Sequence, residues 1–243
     1  MKTMLITGAS SGIGRATALA AADAGWRVIA CGRNEARLSS LRDESTAIET
    51  LAFDLTDLDA SRTYLHGLKP DVTILNAGVC EYVDTNAWDP ALFRRVFDAN
   101  FFSAVNALDV LLPSLDSGSQ LIFVDSLARL LPFTRSEAYG ASKSAVYYLA
   151  KSLDVDLRGR GLVVQSVSPG FVRTPLTEKN DFAMPMRIEA DDAARAILRR
   201  VHSREKTAYF PTLFSGLLRL LSNLPSSLQT LLCWQLARRQ EVQ

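Results

Sequence analysis

The chain is poor in several residue patterns, and each scarcity removes a class of function. Its histidines are two, His66 and His202, and its cysteines three, Cys31, Cys80 and Cys233, none close to another in sequence. No zinc-type spacing arises from them, so no metal site is expected, and the thiols read as reduced side chains of a cytoplasmic protein. Charge of one sign is not in excess either. With 27 basic and 26 acidic residues the net charge is +1, which gives no global field for nucleic acid. No apolar run reaches the roughly twenty residues of a membrane span. The N-terminal MKTMLITGAS breaks at Gly8, too early for a signal peptide. Nor does any Gly/Ser linker or charge block divide the 243 residues. One domain is expected, with 48% hydrophobic residues to fill its core.

What is present is an alternation. Short β-rich apolar runs end near Thr7, Cys31, Phe53, Leu75, Val124 and Val167, with helical patterns between them at 12–25, 35–44 and 136–158. Nearly continuous apolar strands belong to a sheet covered on both faces. The fold class read from this is α/β: a single doubly wound, Rossmann-type domain with a parallel sheet flanked by helices, plus a C-terminal helical extension. Residues 1–170 would form the dinucleotide-binding and catalytic core and 171–190 a substrate lid. Residues 191–243 would add a helix, the short strand TAYF and a leucine-rich tail.

TGASSGIG follows the first strand and opens the first helix. Gly8, Gly12 and Gly14 permit a sharp turn and a close approach to a pyrophosphate, and the helix N-terminus offers free N–H groups. Gly8, Ser10, Ser11, Gly12, Ile13 and Gly14 are therefore candidate cofactor contacts. The second strand ends in Cys31-Gly32-Arg33, where an NAD-type site would carry a carboxylate for the ribose 2′-hydroxyl. Gly32 leaves room for a 2′-phosphate and Arg33 can grip it, with Arg15 as a second cation. NADP is the expected cofactor, and NAD the alternative.

Residues 138–143 read AYGASK, which sets Tyr139 and Lys143 on one helical face. A phenol ordinarily holds its proton to about pH 10, and a cation nearby favours the phenolate. The spacing thus predicts a proton donor with a lowered pKa.

Taken together, TGxxxGxG at the first turn, NAG at Asn76–Gly78 and Tyr139-x-x-x-Lys143 resemble the classical short-chain dehydrogenase/reductase family, from about Met4 to Thr174. The resemblance implies a catalytic tetrad of Asn100, Ser126, Tyr139 and Lys143. Ser126 would orient the substrate oxygen and Asn100 would hold a water linking Lys143 to solvent. It implies further cofactor contacts at Asp54, Leu55, Asn76, Ala77, Gly78, Pro169, Gly170 and Thr174, with Tyr139 and Lys143 at the nicotinamide ribose. The chain departs from the family pattern in its serine segment, VDSLARL, and in the two phenylalanines after Asn100.

The expected activity is an NADP-dependent carbonyl reductase or secondary alcohol dehydrogenase. Its substrate would be a small hydrophobic carbonyl compound or alcohol, because Phe182, Met184 and Met186 give the lid an apolar surface. The alternatives are an NAD-dependent alcohol dehydrogenase with the same tetrad, or a nucleotide-sensing regulator without turnover. The tail, two short amphipathic helices broken near Pro225, would cover the substrate pocket, join copies in a dimer or tetramer, or touch a membrane surface.

Overall fold

The computed structural model describes residues 1–241, with residues 179 and 239–241 described by backbone alone. Its main sheet has seven parallel strands: β1 (Thr3–Thr7), β2 (Arg27–Gly32), β3 (Ile48–Ala52), β4 (Val72–Leu75), β5 (Gln120–Val124), β6 (Val163–Pro169) and, last in sequence, β9 (Thr207–Phe210). Val172–Arg173 (β7) and Ile188–Glu189 (β8) form a separate two-stranded ladder that closes the intervening segment at its two ends. The helices are α1 (Gly12–Asp23), α2 (Glu35–Glu44), α3 (Leu58–Leu65), α4 (Pro90–Phe97), α5 (Ser103–Leu111), α6 (Glu137–Asp156), α7 (Ala190–Ser203), α8 (Thr212–Leu221) and α9 (Ser226–Glu241).

The strand order is β3-β2-β1-β4-β5-β6-β9, so the winding reverses between β1 and β4. At that reversal the C-terminal ends of two neighbouring strands open a crevice, the place where open α/β sheets bind ligands. Alternate residues serve opposite faces. Met4 and Ile6 of β1 join one core with the alanines of α1 and α7, while Leu5 joins the other with Leu121, Phe123, Leu108 and Val146. Both faces are thus covered, which explains why the strands read as unbroken apolar runs. Small side chains, Ala18 and Ala21 on α1 and Ala193 on α7, let these helices press closely on the sheet.

The tail divides its labour by face. Phe214, Leu218 and Leu221 of α8 and Cys233 of α9 pack against Leu127 and Leu131 beside the C-terminal edge of the sheet. Leu213, Leu217 and Leu220 lie one stripe further round α8 and are exposed, as is Trp234 on α9. Among the described residues no helix is long and apolar enough to cross a membrane.

Candidate active site

The first turn is shaped by close backbone approaches. Gly8 and Gly12 have φ of +68° and +55°, a region L side chains rarely adopt. Gly14 lies where a Cβ would come within 2.3 Å of the Gly8 carbonyl oxygen, so the helix can start this close to the strand only with glycine. Ser11 caps α1 without a side-chain hydrogen bond, which leaves the first-turn N–H groups free for an anion.

Thr7 ties this turn to β4. Its Oγ1 accepts from the backbone N–H of Asn76 (2.9 Å) and of Ala77 (3.0 Å), and Asn76 Nδ2 donates back to the Thr7 carbonyl (3.0 Å). The glycine loop and the NAG of Asn76–Gly78 signalled this junction in the sequence; the tie that Thr7 makes between them did not show there.

A groove of about 650 Å³ runs along the C-terminal edge of the sheet. Gly8, Ser10, Ser11, Gly12 and Ile13 line it, as do Asp54, Leu55, Asn76, Ala77 and Gly78. Ser126, Tyr139, Lys143, Pro169, Gly170 and Thr174 continue the wall toward the tail. Its outer end is bounded by Arg33, Asn34 and Arg37. Arg33 lies 3.7 Å from Asp54, both well exposed. Arg15 does not reach this end. It is bonded to Glu44 across the α1–α2 surface, and Arg37, one turn into α2, stands where the second cation was expected. Gly14 and Asn100 lie behind the lining rather than in it.

Asn100 is 2% exposed and sits in a π-helical turn, Asp98–Phe102, between α4 and α5. Its Oδ1 accepts from Val79 N (2.6 Å), and its Nδ2 donates to Val79 O (3.0 Å) and Ser142 Oγ (2.8 Å). Ser142 in turn donates to the carbonyl of Tyr139 (2.7 Å), so Asn100 braces both Gly78-Val79 and the helix that carries the tyrosine. A Cβ on Gly78 would stand 2.8 Å from Asn100 Oδ1 and 3.4 Å from Lys143 Nζ, a fit that leaves no room for a side chain.

Ser126 Oγ accepts from Ala128 N (3.1 Å), and its hydroxyl faces that of Tyr139. Lys143, 5% exposed, donates from Nζ to Val124 O (2.9 Å) and stands 6.0 Å from the Tyr139 ring centre. The expected lowering of the phenol is not what this arrangement produces. Burial first, then the neighbouring Cys80 and Asp125, hold Tyr139 above its ordinary value, against the pull of the Ser126 hydroxyl. The ammonium bears the opposite effect: burial draws Lys143 down to about 8, opposed by Asp125 and Cys80. Helical spacing gave the shared face, whereas depth dictates the direction of the shift.

Cys80 is a neighbour the sequence did not flag. Its thiol lies beside Tyr82 and is pushed up to about 11, chiefly by burial, so it is a neutral polar wall rather than a nucleophile. Beyond it lies an aromatic chain: Tyr82 meets Phe182 edge-on (5.5 Å between centres), Phe182 meets Phe171 (6.1 Å), and Phe171 meets Phe214 of α8 (5.7 Å). In the segment expected to form a lid, Phe182 packs inward and Met186 turns outward at 54% exposure. Asn180 ties this segment to the loop after β4 by accepting from the Tyr82 hydroxyl at 2.7 Å.

Uncapped first-turn amides, glycines at the close approaches and a groove reaching from Arg33 to Lys143 fit a nicotinamide dinucleotide. The comparisons with known proteins agree. The family model described as short chain dehydrogenase matches residues 2–184. An uncharacterized oxidoreductase of Myxococcus xanthus is 34% identical over 238 residues, 93% of this chain and 94% of the relative. A serine 3-dehydrogenase of Rhizobium radiobacter is 33% identical over 188 residues, 72% of this chain and 74% of that one. A short-chain dehydrogenase from Sphingobium yanoikuyae, solved in complex with NADPH, superposes with a TM-score of 0.78 at 27% identity, covering 93% of this chain and 97% of that chain. The chain belongs to the short-chain dehydrogenase family and is an oxidoreductase acting on a CH–OH group with a nicotinamide dinucleotide.

Proposed function

We propose that the enzyme is an NADP-dependent carbonyl reductase that interconverts a hydrophobic carbonyl compound and its secondary alcohol. The observation that carries this reading is the triangle of Ser126, Tyr139 and Lys143 at the inner end of the groove, backed by aromatic side chains. The bound dinucleotide supplies the hydride. Tyr139, kept protonated by its surroundings, donates its phenolic proton to the carbonyl oxygen in reduction and takes it back in oxidation. Ser126 gives its hydroxyl hydrogen to the same oxygen as negative charge develops there. Lys143 would hold the nicotinamide ribose hydroxyls and place a positive charge beside the phenol. Asn100 acts by bracing Val79 and Ser142, since its side chain is engaged three times already.

Arg33 and Arg37 flank the space after Gly32, where a 2′-phosphate would lie, and no carboxylate ends β2 to claim a 2′-hydroxyl. The same reading takes the protein as a cytoplasmic homo-oligomer, with the outward stripe Leu213, Leu217 and Leu220 available to a second copy. The test is oxidation of NADPH and NADH against ketones, aldehydes, acyl-thioester ketones and steroids, with serine as a polar comparison. Turnover of an apolar ketone at least about tenfold better with NADPH supports the reading, that factor being one lost charge-assisted contact. A preference for NADH, or for serine over every apolar carbonyl, removes it.

A further inference from the structure

The residue immediately before Ser126 is an aspartate, and it is 2% exposed. Both of its oxygens are occupied. Oδ1 accepts from Ser168 Oγ (2.5 Å) and Arg129 Nε (3.0 Å), and Oδ2 accepts from Ser166 Oγ (2.8 Å). Arg129 is buried with it. Its Nη2 donates to Ser168 Oγ (3.3 Å) and to the Tyr209 hydroxyl (3.4 Å), and its guanidinium stacks 3.4 Å from the centre of the Tyr147 ring. A buried ion pair gains little stability over an apolar pair of the same size, so stability alone gives no reason to keep it here.

Its position supplies one. Asp125 N donates to Val167 O (2.9 Å), which extends the β5–β6 ladder to the last residue before the serine. The 3₁₀ turn Leu127–Arg129 follows at once and returns the arginine to the aspartate. Ser126 is thereby bracketed between the two members of one ion pair. The third partner, Tyr147, lies on α6 one turn beyond Lys143 and two beyond Tyr139, so the stack ties the serine turn to the helix that carries both. We propose that the Asp125–Arg129 pair is a positioning device that fixes Ser126 against Tyr139 and supports the charge on Lys143, an inference that rests on the acid–base reading above.

The surrounding charges give this a sign. Lys143 faces Asp125, Cys80 and Tyr139, and of these Asp125 does most to offset the effect of burial on the ammonium. Tyr139 faces Cys80, Ser126, Tyr82 and Asp125, and the aspartate helps hold its proton on. Asp125 itself faces Lys143, Arg129, Ser166 and Ser168; burial pushes its carboxyl up, and the Arg129 guanidinium with the two serine hydroxyls opposes that push and favours the carboxylate. Removing the carboxylate charge therefore makes both Lys143 and Tyr139 easier to deprotonate. Carbonyl reduction needs both protonated, so the alkaline limb of the rate moves to lower pH.

The experiment compares Asp125→Asn, Arg129→Met and the double variant in NADPH-dependent reduction of the best carbonyl from the screen, with thermal melting alongside. Asp125→Asn alone leaves a buried guanidinium unpaired and is expected to melt lowest. The double variant regains much of that stability, yet its alkaline limb stays about one pH unit below wild type. Its kcat falls about tenfold, as expected for a loosened serine, with KM for NADPH within about twofold. A double variant with the wild-type limb and kcat overturns the proposal. Should no Asp125 variant fold, Tyr147→Leu removes only the stacked ring and is expected to lower kcat about threefold; an unchanged kcat overturns the clamp. Tyr139→Phe separates the two levels. If it keeps turnover, the acid–base reading fails, whereas an inactive Tyr139→Phe beside an unmoved limb in the double variant defeats the clamp alone.

Discussion

Asn100→Ala offers a perturbation whose size can be worked from the hydrogen bonds it removes. The wild-type side chain satisfies Val79 N and Val79 O, and it also donates to Ser142 Oγ. Ser142 keeps its bond to the Tyr139 carbonyl in the variant, so the main cost is the two main-chain groups of Val79. A buried group left without a partner costs about 1–3 kcal/mol, which gives about 3 kcal/mol for the pair. For a chain of this length each kcal/mol moves Tm by about 2–4 °C, so Asn100→Ala should melt about 6–12 °C below wild type. Circular dichroism at pH 7.5 measures this directly. Asn100→Asp keeps the acceptor for Val79 N but turns the donor facing Val79 O into a second acceptor, and should fall at least as far. A drop under about 2 °C for Asn100→Ala would mean that water replaces the amide at no cost, and the bracing role would be refuted.

Much of the fold is legible in the residues because the strands are pure apolar runs and the helices carry clear ends. The reading 35–44 coincides with α2, and 136–158 overruns α6 by one residue before and two after. The stretch around Asn100 resisted. The π turn Asp98–Phe102 inserts an extra residue between α4 and α5, which breaks the apolar period a helix is recognised by. In the site, spacing located Ser126, Tyr139 and Lys143 but gave the pKa direction of Tyr139 wrongly, because burial is a property of the packed molecule. Arg15 and Arg37 exchange roles for a similar reason. Each is a long side chain beside the loop, and Glu44, far along the chain, takes the first. Thr7 acts through Ala77, 70 residues away, and Asp125 through Ser166 and Ser168, 41 and 43 residues away, separations that local patterns do not reach.

Four further outcomes follow from the same geometry. Lys143 titrates near 8 folded against its ordinary 10.5, so between those values the unfolded chain holds more protons and wild-type stability climbs with pH. The Tm difference between wild type and Lys143→Met should accordingly shift in favour of wild type from pH 8 to 10, and a flat difference contradicts the burial cost. Arg33→Ala should raise KM for NADPH about tenfold and leave NADH little changed, while Arg15→Ala, engaged with Glu44, should alter neither; equal effects of the two would remove the 2′-phosphate assignment. Leu218→Ala should cost about 2–5 kcal/mol in denaturant melts because it packs on Leu127. Leu217→Glu with Leu220→Glu should leave Tm intact but reduce the sedimentation coefficient, and an unchanged oligomer, or wild-type pelleting with lipid vesicles, would take the outward stripe away from a second copy.

The central claim is that Tyr139 moves the proton in a groove built for a nicotinamide dinucleotide. Tyr139→Phe in the full chain tests it most directly, with NADPH binding followed by fluorescence and turnover measured on the same sample. The account expects NADPH affinity within about twofold of wild type and turnover lower by about a thousandfold, the loss of a general acid. Turnover within tenfold of wild type, with NADPH bound normally, would contradict it.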